Sequence, residues 1–251
     1  MLVENIGSTP IGLGNKYLVP GATAFVPDGD ISLIQEIANI NGLRILSPMK
    51  RNKIWAACNF GMVLPDPLRI NVGCGYVLKT DWVGLDIDGS IVGHLKTKGG
   101  FAIQCDIVRG LPFDNKTVDF IFSEHFIEHL GKNEQKFYLS DAFRALKNGG
   151  VIRTGSPCIE RGIERYVNRE WRNDLKKDAG IHLEYEAEGL NMMFHSWGHK
   201  FVPDYEYLSG VLKKIGFTEI MRCNYGKSEH GSLSNLEHRP STPLIVEATK
   251  P

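Results

Sequence analysis

The stretch RINVGCGYVLKTDWVGLDID, residues 69–88, contains two short apolar runs, each followed at once by residues suited to holding a ligand. The first run, residues 69–72, leads into Gly73-Cys74-Gly75, and the second, residues 82–85, leads into Asp86. Glycine lets a backbone turn sharply and approach a ligand closely. Because ligands of doubly wound sheets lie at the carboxyl ends of the strands, this stretch predicts two neighbouring strands with a binding site at their ends.

The same alternation of strand and helix continues along the chain. Further strands are predicted at 101–105, 118–122 and 151–154, and residues 217–223 and 244–249 predict an antiparallel pair. Helices are predicted from about Phe126, over 135–147 up to the turn Asn148-Gly149-Gly150, and over 205–215 up to Gly216. The pattern predicts an α/β, Rossmann-like, doubly wound and mostly parallel sheet whose last strand is antiparallel.

The connection between the first two strands is unusually short. Only six residues, 76–81, separate Gly75 from Trp82, whereas a crossover helix needs about a dozen. The usual first helix is therefore expected to be missing or reduced to one turn. The loop also lacks a third glycine at the dinucleotide spacing, which argues against NAD.

Residues 1–48 have a different sequence pattern from the rest of the chain and predict a small α+β or β-rich module. Short β-type runs at 17–19, 23–26 and 43–46 surround a helix whose apolar face is Leu33, Ile34, Ile37 and Ile40. Residues 49–67 are predicted to be a linker, and residues 68–251 the main domain. The module is a candidate surface for a protein partner.

Composition excludes several classes of function. The 29 Lys and Arg residues balance 29 Asp and Glu residues, so no nucleic-acid partner is expected. No stretch approaches the roughly 20 apolar residues of a membrane span, and the first residues carry no secretion signal. Five scattered cysteines without a CxxC pair argue against a disulfide framework, so we expect a cytoplasmic protein.

Polar residues follow each predicted strand. Asp86 is placed to accept hydrogen bonds from both hydroxyls of a ribose, and Asp106 from an adenine amino group while Ile107 packs on the ring. The run 118–125 leads a strand into Ser123, Glu124 and His125. Asp86 could instead be a strand-end turn former or a helix cap. The binding site is therefore predicted only if Gly73, Asp86 and Asp106 converge at one rim of the sheet.

Together these residues resemble the class I S-adenosylmethionine-dependent methyltransferases over residues 68–249. The resemblance is carried by NVGCG, VGLDID, LPFDNKTVDFIFSEHFIEHL and FRALKNGGVIRTGSP. It implies S-adenosylmethionine as the cofactor, with the glycine loop against its amino-acid part and no metal ligands. The cofactor-binding residues that it implies are Asn71, Gly73, Cys74, Gly75, Asp86, Ile87, Asp106, Ile107, Ser123 and Glu124.

The methyl acceptor is not identified by the sequence. The tail resembles a bacterial subgroup of predicted methyltransferases, which implies a glycan or small molecule. His125 and His199 are the candidate catalytic bases, should the acceptor need to lose a proton. Residues 158–200 predict an acceptor-binding insertion, or equally an amphipathic surface helix with solvated arginines. Its charged and aromatic residues are Arg161, Arg165, Tyr166, Arg169, Trp171 and Arg172.

Two other functions remain open from the sequence. His125-Phe126-Ile127-Glu128-His129 matches H-x-x-E-H, in which two histidines on one helical face bind zinc and the glutamate acts as the base of a peptidase. The chain would otherwise be a non-catalytic binding module that retained the fold.

Overall fold

The computed structural model describes residues 65–239 and 242–251, together with five short strands in the first 45 residues. The chain divides into two compact units. One consists of residues 1–64 with 109–114, and the other of residues 65–108 with 115–251.

The described strands of the first unit form two small antiparallel sheets. They are β1 (Leu2–Asn5), β2 (Ile11–Leu13), β3 (Lys16–Leu18), β4 (Thr23–Phe25) and β5 (Leu43–Ile45). The order of the larger sheet is β4-β1-β5, and β2 pairs with β3. Three of these strands lie where short β-type runs are predicted. The helix predicted between them falls outside the described residues.

A seven-stranded sheet is the centre of the second unit. Its strands are β6 (Arg69–Val72), β7 (Val83–Asp86), β8 (Phe101–Gln104), β9 (Val118–Glu124), β10 (Leu146–Ser156), β11 (Thr218–Arg222) and β12 (Leu244–Thr249). Their order is β11-β12-β10-β9-β6-β7-β8. The strands from β10 to β8 pair in parallel, whereas β12 pairs antiparallel with both β10 and β11. The predicted Rossmann-like sheet with an antiparallel last strand is confirmed.

Helices flank this sheet. They are α1 (Gly89–Thr97), α2 (Lys132–Ala145), α3 (Ile159–Val167), α4 (Trp171–Ala179), α5 (Glu186–His195) and α6 (Tyr205–Ile215). Single 3-10 turns lie at Ile107–Arg109, Ile127–His129 and Gly231–Leu233. Helix α6 has the predicted bounds, because the Asp204 carboxylate caps its start and Gly216, with a φ of 116°, ends it. No described helix is both long enough and apolar enough to cross a lipid bilayer.

The short link from β6 to β7 contains no helix, as its length predicts. Turns replace the helix there. The N–H of Cys74 donates to the carbonyl of Leu85 at 3.1 Å, so the loop is fastened directly to the end of β7. Helix α1, which was not predicted, follows β7 and begins where Asp88 accepts a hydrogen bond from the N–H of Ser90 at 2.8 Å.

Two helix predictions were wrong. The segment after His125 forms only a three-residue 3-10 turn, and the helix predicted over 135–147 begins earlier, at Lys132. At its other end α2 stops at Ala145, since the N–H groups of Lys116 and Thr117 bond the carbonyls of Arg144 and Ala145. Strand β10 therefore starts at Leu146, and the predicted cap Asn148-Gly149-Gly150 lies inside that strand, at an irregularity in its register with β9.

A buried arginine on an inner strand ties the sheet to the last loop. Arg153 on β10 is fully buried, and its guanidinium contacts Glu237 at 2.6 Å and Glu247 more closely still. Burial disfavours the charge, but the hydrogen bonds and charges of the two carboxylates outweigh it and raise the pKa of Arg153. The carbonyls of Lys227 and Asn224 also accept from this guanidinium. The loop between β11 and β12 is held to the sheet by this ion cluster.

Candidate functional site

The glycine loop after β6 closes onto the end of β7. Gly73 and Gly75 have φ values of 62° and 52°, in the left-handed region that favours glycine. The N–H of Gly75 donates to the Asp86 carboxylate at 2.9 Å, and the N–H of Asp88 donates to its other oxygen at 3.0 Å. Asp86 is only partly buried, so each oxygen keeps room for another hydrogen bond.

The two glycines serve different purposes. A Cβ added to Gly73 would lie 2.5 Å from the ring of Phe126, whereas a Cβ on Gly75 would meet nothing within 4 Å. Gly73 therefore permits the loop to pack against the segment that follows β9. Gly75 borders open space, which is the side from which a ligand can approach the loop.

A cavity of about 780 Å³ opens at the carboxyl ends of β6, β7 and β9. Its rim carries two strongly exposed apolar side chains, Tyr76 at 63% and Ile87 at 65%. Asp106, whose carboxylate accepts from the N–H of Val108 at 3.3 Å, lies at the same cavity. Of the predicted cofactor-binding residues, those that line it are Gly73, Cys74, Gly75, Asp86, Ile87, Asp106, Ile107 and Glu124.

Asn71 and Ser123 do not line this cavity. Both are buried in the sheet, and the Ser123 hydroxyl donates to the hydroxyl of Thr154 at 3.3 Å. Their position, one layer below the strand ends, makes them supports of the cavity floor. Cys74 is also buried, and burial together with the Asp86 charge raises the pKa of its thiol to about 12, so its sulfur stays protonated.

Glu124, at the end of β9, is the anchor of the last loop. Its buried carboxylate accepts from the N–H groups of His238 and Arg239 at 3.0 and 3.2 Å and from the Thr242 hydroxyl at 2.7 Å. The ring of His238 contacts the same carboxylate. This carboxylate is already well supplied with donors, so its main effect is to hold His238 and Arg239 at the cavity.

His125 lies at the junction of two cavities. Its φ of 51° turns the chain sharply out of β9, and its N–H bonds the carbonyl of Gly155 at 2.9 Å. Its Nε2 lies 3.2 Å from the Thr242 hydroxyl, and its Nδ1 lies 3.3 Å from Glu128. The side chain is thus held from both ends while it borders both cavities.

The second cavity, of about 790 Å³, lies beneath α3, α4 and α5. It shares four residues with the first: His125, His129, His238 and Arg239. His199, the second candidate base, lines only this second cavity. Two half-open cavities that share four lining residues suit a reaction between two bound molecules.

The roof of the second cavity is the predicted insertion, residues 158–200, which folds as the three helices α3, α4 and α5. The chain breaks between α3 and α4 at Arg169, whose φ is 57°. Arg161 bonds Glu164 and Glu170, each at 2.8 Å, and Arg165 bonds Asp174 at 2.9 Å while stacking over Trp171. Of the insertion residues singled out in the sequence, Arg161, Arg165 and Trp171 line the cavity, and Tyr166, Arg169 and Arg172 do not.

A small polar cluster lies on the floor of the second cavity. Glu128 is fully buried, and no hydrogen-bond donor reaches either of its carboxylate oxygens among the described residues. His129 and His199 stand beside it with their rings edge to face, 5.1 Å apart. Burial, together with the neighbouring histidines, lowers the pKa of His129 even though the Glu128 charge opposes this.

The H-x-x-E-H interpretation required both histidines on one helical face, and the structure does not form it. His125 ends a strand, and the following 3-10 turn is too short to align it with His129. The described side chains that converge are instead Glu128, His129 and His199. The zinc-peptidase arrangement, with Glu128 as a free base between two ligands, is therefore absent from the described part of the chain.

Comparison with known proteins shows what the region around the first cavity is similar to. The sequence profile of a family described as "Methyltransferase domain" matches residues 70–154, from β6 to the middle of β10. This is the region that holds the glycine loop, Asp86, Asp106 and the end of β9. Over these residues the chain is similar to methyltransferase domains.

Solved structures with a similar arrangement include three S-adenosylmethionine-dependent enzymes. A methyltransferase of Thermotoga maritima, a possible histamine N-methyltransferase, is 16% identical, with a TM-score of 0.46 over 80% of this chain and 90% of that one. One from Archaeoglobus fulgidus is 15% identical, with a TM-score of 0.47 over 89% and 100%. Phosphoethanolamine N-methyltransferase 2 of Haemonchus contortus, bound to S-adenosylmethionine, is 14% identical, with a TM-score of 0.47 over 82% and 54%. No curated protein sequence matches the chain.

The chemistry of the first cavity suits S-adenosylmethionine, the cofactor that the sequence resemblance implies. Carboxylates suited to hydroxyl and amino groups, Asp86 and Asp106, stand beside the apolar side chains of Ile87 and Ile107. The open edge at Gly75 leaves space for the amino-acid end.

The sequence missed the residues contributed by the last loop. His238 and Arg239 line both cavities, yet they lie more than 100 positions from the strand ends that they join. The signal that points to them is the buried Glu124, because a carboxylate at the end of an internal strand needs donors from another part of the chain.

Proposed function

We propose that this methyltransferase domain transfers the methyl group to a sugar or other small anionic acceptor bound in the second cavity. The observation that carries the proposal is that four residues line both the first cavity and the second. S-adenosylmethionine supplies an electrophilic methyl group when bound. An acceptor atom in the second cavity would reach that group past His125.

The lining of the second cavity favours an acceptor with negative charge or hydroxyl groups. Among the described residues, Arg239 and Lys177 form no ion pair with a carboxylate, whereas Arg161 and Arg165 are already paired with acids. Trp171 and the half-exposed Trp197 provide flat apolar faces, which suit a sugar ring or an aromatic group. Cationic and aromatic side chains in one cavity are the combination that an acidic sugar requires.

His125 is the proposed base. It borders both cavities, and contacts from Thr242 and Glu128 fix the orientation of its ring. A neutral imidazole accepts the proton that a hydroxyl or ammonium acceptor loses as it is methylated. His199 lies deeper, with its Nδ1 at 2.6 Å from the carbonyl of Met193, and is the weaker candidate.

The test has two steps. Calorimetric titration of the purified chain with S-adenosylhomocysteine measures cofactor binding, and acceptor screening then follows the release of S-adenosylhomocysteine from S-adenosylmethionine. Acidic sugars and sugar phosphates are expected to be methylated. His125→Ala is expected to keep cofactor binding and reduce turnover by about 100-fold or more. His195→Ala, which removes an exposed histidine of α5 that lines neither cavity, is the matched control.

Each outcome separates this function from the alternatives. A chain that binds no S-adenosylhomocysteine is not an active methyltransferase and would fit a non-catalytic module. Cofactor binding with methylation of only neutral, apolar acceptors would contradict the proposed acceptor class. Unchanged turnover in His125→Ala would remove that residue from the mechanism.

A further inference from the structure

The unpartnered carboxylate on the floor of the second cavity carries a further inference. One ligand atom each from Glu128, His129 and His199 lies within 4.8 Å of the others. Glu128 is completely buried, and the backbone carbonyl of the same residue is fixed by the N–H groups of Lys200 and Phe201. The backbone of Glu128 is therefore fixed, whereas neither oxygen of its buried carboxylate has a hydrogen bond.

Burying a carboxylate without hydrogen bonds lowers the stability of the folded state. Removing an ionised carboxylate from water costs several kcal/mol unless a positive charge or hydrogen-bond donors replace the water. Nδ1 of His125 and Nε2 of His199 lie 3.3 Å and 3.9 Å from this carboxylate, within ion-pair distance, but neither makes a hydrogen bond to it. A cation bound between Glu128 and the neighbouring histidines would supply the positive charge that replaces the lost water.

The orientation of His199 supports this. Its Nδ1 lies 2.6 Å from the carbonyl of Met193, which only an N–H group on that nitrogen explains. In the neutral ring the lone pair is then on Nε2, which faces Glu128 at 3.9 Å. Two acceptor atoms facing each other in a buried site leave room for a positive charge between them. A backbone carbonyl that orients a histidine from behind is also the usual second contact of a metal-binding histidine.

We propose that Glu128, His129 and His199 bind one divalent transition metal ion of the Zn²⁺ class. Two imidazoles and one carboxylate are a donor set that binds zinc with an open coordination position. Because Glu128 is a ligand here, the site is distinct from the zinc-peptidase reading of the H-x-x-E-H motif. It also departs from the sequence expectation that the chain has no metal ligands.

The location of the site gives the metal a function. His129 lines both cavities, and Glu128 and His199 line the second. The open coordination position therefore faces the space assigned to the acceptor. A metal there would hold a hydroxyl or carboxylate oxygen of the acceptor in place; this last step rests on the proposed function, whereas metal binding does not.

The test is calorimetric titration of the full chain with Zn²⁺ after removal of bound metal with a chelator. One equivalent is expected to bind and to raise the melting temperature. Glu128→Gln and His199→Ala are each expected to weaken binding by at least about tenfold, because each removes one of three ligands. His195→Ala is the matched control and should bind Zn²⁺ like the original chain, since this exposed histidine lies outside the cluster.

A second titration, with S-adenosylhomocysteine, checks that each variant is folded. Glu128 and His199 do not line the cofactor cavity, so both variants should still bind this ligand. Variants that bind S-adenosylhomocysteine normally and Zn²⁺ as tightly as the original chain would overturn the proposal. So would an original chain that binds S-adenosylhomocysteine but no Zn²⁺, a result that leaves the methyltransferase function intact. Zinc binding without cofactor binding would instead contradict the proposed function alone.

Discussion

The N–H of Gly75 donates to the carboxylate of Asp86 at 2.9 Å, so the glycine loop and the acidic strand end are one structural unit. The bond crosses the short link between β6 and β7, where a crossover helix would otherwise cover the loop. Asp86 fixes the loop from one side, and its carboxylate oxygens keep acceptor capacity for a ligand. We expect that ligand group to be the ribose of the cofactor.

Asp86→Ala is expected to weaken binding of S-adenosylhomocysteine by about 10- to 100-fold, the range for losing hydrogen bonds to a charged acceptor. Calorimetric titration measures the change. Asp88→Ala is the control, because Asp88 is exposed and only caps α1. It should leave the affinity unchanged, and an Asp86 variant that binds as tightly as the original chain would refute the assignment.

Gly73 and Gly75 predict different consequences of the same substitution. Gly73→Ala is expected to lower the free energy of unfolding by about 2–5 kcal/mol, combining left-handed strain with the clash against Phe126. Gly75→Ala should cost only about 1–2 kcal/mol, since it carries the strain without a clash.

Chemical denaturation of the two variants measures this difference, with the original chain as reference. Equal losses of unfolding free energy would show that Phe126 can move away from the added methyl group without destabilising the fold. Cofactor affinity provides the second comparison. It should fall for Gly75→Ala even where the protein is folded, because that Cβ points into open space at the cavity.

Arg153 is expected to be among the most sensitive positions for stability. Arg153→Leu leaves Glu237 and Glu247 buried without their cation and should destabilise the fold by about 3–5 kcal/mol. Arg222→Leu is the matched control, as its contact with Glu160 is exposed and worth at most about 1 kcal/mol. Urea denaturation compares them, and similar losses in both variants would contradict the role given to the buried cluster.

Local patterns along the chain were sufficient to predict most of the sheet. Strand β6 and helix α6 have the predicted bounds, because an apolar run before a glycine and a capped amphipathic run are both local signals. Helix α1 escaped prediction, since only Val92 and Leu95 of its nine residues are buried. The end of α2 was misplaced because its last carbonyls bond residues 116–117 rather than a glycine cap.

In the candidate site, too, local sequence patterns predict some residues and miss others. Gly73, Asp86 and Asp106 could be predicted, because each follows a parallel strand and such ends meet at one edge. The contact between Glu124 and Thr242 spans 118 positions, and that between Glu128 and His199 joins two loops. Such pairs are determined by packing of distant segments, for which a single sequence carries no periodic signal.

Trp171 anchors the roof of the second cavity, and its removal should separate acceptor binding from cofactor binding. Its ring is buried among Leu175, Met193 and Val202, and its N–H donates to the carbonyl of Gly162 at 3.0 Å. Trp171→Ala is expected to lower stability by about 3–5 kcal/mol, the usual loss for a buried aromatic, and to raise KM for the acceptor. The affinity for S-adenosylhomocysteine should stay unchanged, as Trp171 does not line the first cavity.

Trp197→Ala provides the contrast within the same cavity. Trp197 is 53% exposed, so its removal should change the unfolding free energy by no more than about 0.5 kcal/mol. If its ring stacks on the acceptor, KM should still rise without a change in cofactor affinity. Steady-state kinetics on the two variants measures KM for the acceptor, and calorimetry measures their cofactor affinity. A loss of cofactor affinity in both would mean that the roof covers the methyl donor, and that the second cavity is not a separate acceptor site.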